Sequence, residues 1–192
     1  MRQLTLIFLA LITTASATAN AAQDLDALKA DTRKQALPVL PRVVGMMQET
    51  VAAHGAMAAI PVCKEKAPLL LKEQADKTGW GMRRVSLKTR NAERGTPDSW
   101  EVRQLADFNI RAANGEKVET LETGEIVSES GMPVYRYIRA IPVGTVCLSC
   151  HGATESIEPA LRTELGRSYP NDRATGYSLG QIRGALSVKR PL

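Results

Sequence analysis

The stretch KVETLETGEIVSESGMPVYRYIRAI, residues 117–141, decides the fold class. Short β-prone runs alternate there with glycine-centred turns. This predicts an antiparallel meander with strands over 117–122, 125–129 and 134–141, and turns at Gly124 and at Gly131-Met132-Pro133. Val134, Tyr135, Tyr137 and Ile138 make the third run strongly β-prone. A final strand is expected over 182–188.

Upstream the pattern is helical. Leu25, Leu28 and Leu37 share one apolar helical face, which Pro38 and Pro41 should kink or interrupt. The helical pattern resumes over 43–53, and Gly55 and Pro61 weigh against one continuous helix. Pro61 suits the first turn of the next helix, over 62–77, where Pro68 should perturb the segment and Thr78-Gly79 stop it. Residues 80–89 read as extended, with Met82, Val85 and Leu87 inward and Arg83, Arg84 and Lys88 in solvent. Residues 91–97 read as a loop. Asp98-Ser99-Trp100-Glu101 has the spacing of a helix cap with its reciprocal glutamate, for a helix that runs to about Ala113 and ends at Asn114-Gly115. A short helix over 157–166 and a polar loop over 169–176 precede the last strand. The chain is therefore α+β: a helical region, then a small domain on an antiparallel sheet.

The length of 192 residues suits one domain, and an apolar share of 44% supports a real core. The first residues have the three-part layout of a secretory signal peptide: a charged start at Met1-Arg2-Gln3, an apolar run over 4–12, and small residues ending Ala19-Asn20-Ala21. Cleavage is expected after Ala21, with Ala17 as the alternative. The apolar run falls short of the roughly 20 residues of a membrane span. An exported, periplasmic chain with no stable membrane span is expected. Cleavage removes one arginine and lowers the formal charge from +5 to about +4. The sequence has no dense basic run with interleaved aromatics, so no nucleic-acid partner is expected. Two histidines leave little room for a Ser-His-Asp site, and there is neither a phosphate loop nor a metalloprotease motif. An enzyme is the less favoured reading.

Three cysteines make an odd set for an exported protein. Cys147-Leu148-Ser149-Cys150-His151 has the spacing of c-type haem attachment. Two thiols three positions apart reach the two vinyl groups on one edge of a porphyrin, and the following imidazole turns to the iron. The competing readings are a thioredoxin-like Cys-x-x-Cys, a zinc site that would recruit Cys63 and His54, and a plain disulfide. The alternatives in function are a haem-dependent or thiol-disulfide oxidoreductase, for which His54 is the one spare acid–base candidate, or a haem-free disulfide-bonded binding domain. For the second axial position the residues leave several candidates: Cys63, His54, and the methionines at 46, 47, 57, 82 and 132. Cys63 stands near an expected helix N-terminus, where backbone N–H groups favour a thiolate. Arg83, Arg84, Lys88 and Arg90 are candidates for the haem propionates. Tyr169, Asp172, Arg173 and Tyr177 read as loop residues that could line a pocket.

Four blocks resemble one known family, the Tll0287-like haem domains: AAIPVCKEKAP at 58–68, WGMRRVSLKTRN at 80–91, PDSWE at 97–101, and CLSCHG at 147–152 with the later YPNDRATGYSLGQIRGALSV. The resemblance divides the chain into a signal peptide over 1–21, an N-terminal helical region over 22–57 and the haem domain over 58–192. It implies a PAS-like antiparallel sheet, one covalently attached haem c on Cys147 and Cys150, His151 as proximal ligand and Cys63 as distal ligand. It also implies redox or gas sensing, or electron transfer. The chain carries no output module, so a separate redox or signalling protein is the expected partner, besides the c-type haem maturation machinery.

Overall fold

The computed structural model describes residues 13–192, with side chains from Asp24 onward. The signal-peptide reading of residues 1–21 lies wholly outside the described side chains. Among the described residues no helix is long and apolar enough to cross a membrane.

The expected meander is a hairpin. Strand β2 (Glu122–Glu129) pairs with β3 (Met132–Pro142) across a two-residue turn in which Ser130 and Gly131 both take positive φ. That backbone matches the twist of the flanking strands. Two expectations fail here. Residues 118–120 form a 3-10 turn in place of a strand. Gly124 lies inside β2 and makes no turn; the Tyr135 side chain occupies the space that a Cβ would take there. Its turn-like residue type answers to packing across the sheet.

Strand β1 (Gly81–Val85) pairs with β4 (Ile182–Pro191), and β4 with β3, so the sheet order is β1-β4-β3-β2, all antiparallel. Both faces are covered. Helix α1 (Thr13–Ala36), α2 (Val39–Pro61) and α3 (Ala67–Thr78) pack Leu28, Ala36, Val39 and Leu71 over Tyr135, Tyr137, Leu186 and Val188. Helix α4 is a single turn at Ala92–Gly95, inside the expected loop. Helix α5 (Ser99–Ala113) lays Trp100, Leu105 and Phe108 on Val85, Ile138 and Ala185 of the other face. The reciprocal Asp98–Glu101 cap is present as expected. The short α6 (Leu148–His151) and α7 (Pro159–Ser168) complete the chain between β3 and β4.

The prolines act differently from expectation. Pro38 separates α1 from α2, but Pro41 falls in the first turn of α2, where its missing N–H costs nothing. The break inside α2 is Gly55, at φ 78°. Pro61 opens no helix. The chain runs from α2 through a π-helical segment, Val62–Lys66, into α3, and Pro68 sits in the first turn of α3. On β1, Val85 is buried, Met82 packs on the opposite face, and Leu87 is exposed rather than inward.

Candidate haem site

The π-helical segment, β1, α6 and the start of β4 surround a cavity of about 360 Å³. This lies within the range of small-molecule sites. Cys63, Cys147, Cys150 and His151 all line it. All three thiols are free, so Cys147 and Cys150 form no disulfide. Among the described residues no group of three or more His, Cys, Asp or Glu side chains is arranged to hold a metal ion.

His151 is held firmly. Its Nδ1 donates to the Ala174 carbonyl at 2.6 Å, which leaves Nε2 with its lone pair. The backbone around it is bracketed: Tyr177 N–H donates to His151 O at 2.9 Å, and Gly176 N–H to Gly152 O at 2.7 Å. Gly152 is required by close approach, since a Cβ would sit 2.6 Å from the Leu148 carbonyl. Burial, with Arg183 and Arg90 nearby, pushes the imidazole well below its usual pKa and keeps it neutral. Tyr177 meets the ring edge-on at 6.3 Å.

Arg90 ties this segment together. Its guanidinium donates to Cys150 O at 2.5 Å and to Ala174 O at 3.3 Å, and its Nε lies 3.0 Å from Asp172. Arg90 is thus bound into the frame of the site. Arg84 lines the cavity, Arg83 pairs with Glu101 of α5, and Lys88 donates to Thr175 O and lies over the Tyr177 ring. Tyr169 is also a wall residue; burial first, with Cys63 adding, raises its phenol to about 12.

Cys63 departs from expectation in one respect. It lies mid-way along a continuous π-to-α helix and not at a helix start, so no N-terminal dipole favours its thiolate. It is exposed and lines the cavity. Surrounding protein pushes the thiol up, against the lowering effect of Arg84, Arg90 and Arg183. Burial raises Cys150 too, the reverse of a thiol-disulfide nucleophile. Among the other candidates for the second axial position, Met47 and Met82 line the cavity, and Met47 Sδ is 3.9 Å from Cys63 Sγ. His54, Met46, Met57 and Met132 do not line it.

Arg183 carried no signal in the sequence and was missed. Regular alternation would put it on the α5 face with Ala185. A register irregularity between Ile141 and Pro142 reverses the alternation, so Ile182 packs towards α5 and Arg183 lines the cavity. Gly184 permits this: at φ 154°, its missing Cβ leaves room for the Val85 carbonyl. Arg183 Nη1 donates to Ser86 Oγ at 3.1 Å, and its Nε stands 3.2 and 3.3 Å from the two ring nitrogens of His151. Burial lowers its pKa to about 10, so it remains a cation at neutral pH.

Fold and site together define an α+β protein whose helices and sheet enclose a cavity bearing three free thiols, one oriented imidazole and several cations. The chain belongs to the Tll0287-like family, whose profile matches residues 9–191. A solved structure of the cyanobacterial heme-protein Tll0287 shares the fold at a TM-score of 0.60 and 23% identity, over 84% of this chain and 95% of that one. No curated protein matches the sequence.

Proposed function

We propose that the chain is a periplasmic c-type haem protein working in redox or gas sensing or in electron transfer, with one haem joined to Cys147 and Cys150 and its iron between His151 and Cys63. One observation carries this reading: the Cys147–Cys150–His151 segment and Cys63, distant in sequence, line the same largely apolar cavity. The residues fit the group. The thiols are free, the imidazole is neutral with Nε2 unprotonated, and all four side chains line one cavity. The fold likeness to a cyanobacterial heme-protein adds support. A PAS-like reading is consistent with the first and last strands lying side by side in the sheet.

Haem, when bound, would supply a one-electron iron couple. The chain's residues do the rest. The Ala174 carbonyl fixes the His151 tautomer by accepting from Nδ1, as the partner behind a metal-binding histidine commonly does. Arg90 holds Cys150 and Ala174 in one frame. Cys63 offers a sulfur donor that favours the ferric state. The chain acts on a separate redox or signalling protein, after loading by the c-type haem maturation machinery.

The test is expression of the full chain with c-haem maturation factors. Haem-dependent peroxidase staining should persist on a denaturing gel, and the pyridine haemochrome spectrum should report thioether-linked haem. Haem fully extracted by acidified organic solvent would overturn the covalent reading. Carbon monoxide added to the reduced protein separates the roles: a spectral shift favours sensing, and an unchanged spectrum favours electron transfer.

A further inference from the structure

Six cationic side chains line the cavity and no acidic one does. Their partners differ. Arg90 is engaged by Asp172 and two carbonyls, Arg83 by Glu101, Arg94 by the Lys64 carbonyl, and Lys64 by the Tyr169 ring face. Arg84 and Arg183 have no carboxylate within ion-pairing distance among the described residues. Arg183 is only 8% exposed. A guanidinium buried that far is normally neutralised, because an unpaired buried charge is costly. Arg136, the other deeply buried arginine, meets Asp98, Glu101 and Glu129. Arg183 has only the Ser86 hydroxyl, the Lys88 carbonyl, the His151 ring and the Tyr177 face, and its Nη2 makes no hydrogen bond.

We infer that Arg84 and Arg183 form an acid-binding site that takes the carboxylates of a porphyrin diacid. This rests on the haem reading above and names the residues that select the acid form of the ligand. The two belong together by geometry: Arg84 faces Leu186 in the β1–β4 register, and the irregularity at Gly184 turns Arg183 to the side where Arg84 lies. Guanidinium forks match carboxylates in two parallel hydrogen bonds. Arg90, already committed to Asp172 and two carbonyls, is a positioning residue and takes no part in acid selection.

The experiment uses the full chain and iron(III) mesoporphyrin IX, whose ethyl groups cannot form thioethers, beside its dimethyl ester. Binding is followed by absorbance. The diacid should bind about tenfold or more tightly than the ester, in line with charge-assisted hydrogen bonds. Arg183→Gln and Arg84→Gln should each narrow that ratio, the double variant should abolish it, and Arg183→Lys should keep part of it. Arg90→Gln should weaken diacid and ester together. Circular dichroism checks that each variant folds. Equal affinity for diacid and ester in the unaltered chain, or a ratio unchanged in the folded double variant, overturns the inference. A diacid preference in a chain whose haemochrome test fails upholds the acid site and sinks the covalent-haem reading. Covalent haem with no diacid preference does the reverse.

Discussion

At Cys63 the two forces on the thiol oppose each other. Burial favours the neutral thiol, while three arginines favour the thiolate. Ferric iron would tip that balance, since a thiolate donor stabilises the higher oxidation state. Cys63→Ala should therefore raise the reduction potential and remove the low-spin thiolate signature from the ferric electron paramagnetic resonance spectrum. Identical spectra for variant and parent would leave Cys63 as a free cysteine that binds no iron. Met47, 3.9 Å away at its sulfur, is placed to replace it, so the spectrum and not the coordination number is the reading to take. Gly152 has a simpler role. Gly152→Ala forces a Cβ into the Leu148 carbonyl and should lower the yield of haem-loaded protein, with the rest of the fold retained by circular dichroism.

Among the elements, α5 is the one whose boundary was written most plainly in the sequence. Asp98 accepts from Glu101 N–H at 2.9 Å, and the Glu101 carboxylate accepts from Asp98 N–H at 2.8 Å. Burial alone would raise the Asp98 carboxyl; the Glu101 N–H, Arg136 and Lys189 outweigh it and hold the carboxyl below its usual range. A depressed folded pKa means stability that is present above the unfolded value of about 3.9 and lost as pH falls through the folded value. Asp98→Ala should cost about 1 kcal/mol at neutral pH, and the gap to the parent should shrink below about pH 4. Chemical denaturation at several pH values measures it. The π-helical segment carried no comparable signal. A proline at 61 reads locally as a helix start, yet the neighbouring helices hold the chain helical through it.

For the whole molecule, α1 is joined to the sheet at Glu122. This carboxylate is 7% exposed and meets Arg33 and Lys29 of α1, Arg139 of β3 and the Tyr137 hydroxyl, the last two at 2.8 and 2.6 Å. The cations are partly exposed, so solvent screens part of their loss. The Tyr137 hydroxyl is buried and would lose its acceptor. Glu122→Ala should thus cost about 2 kcal/mol. It should also speed hydrogen exchange in α1 before the β2–β3 hairpin, as read by mass spectrometry. Uniform exchange across both would show that α1 is not anchored there.

The α+β class, the Asp98 cap, the α7 and β4 segments and the Cys147–Cys150–His151 cluster were legible because each is a local pattern. Alternation, capping and cysteine spacing are set by residues within one turn or one strand of each other. What brings Cys63 to that cluster is different in kind: it needs the helices laid over the sheet, which residue spacing alone does not specify. Arg183 shows this most clearly. Its face was reversed by a register irregularity at Gly184, so a side chain that strand periodicity assigns to the α5 core lines the cavity beside His151. The sequence by itself determined which local elements form and that two thiols and an imidazole stand within five residues of chain, because short-range sterics, hydrogen bonding and residue spacing decide those. Only the tertiary structure decided which cations surround that chemistry and which go unpaired, because charge pairing depends on contacts between residues far apart in the chain.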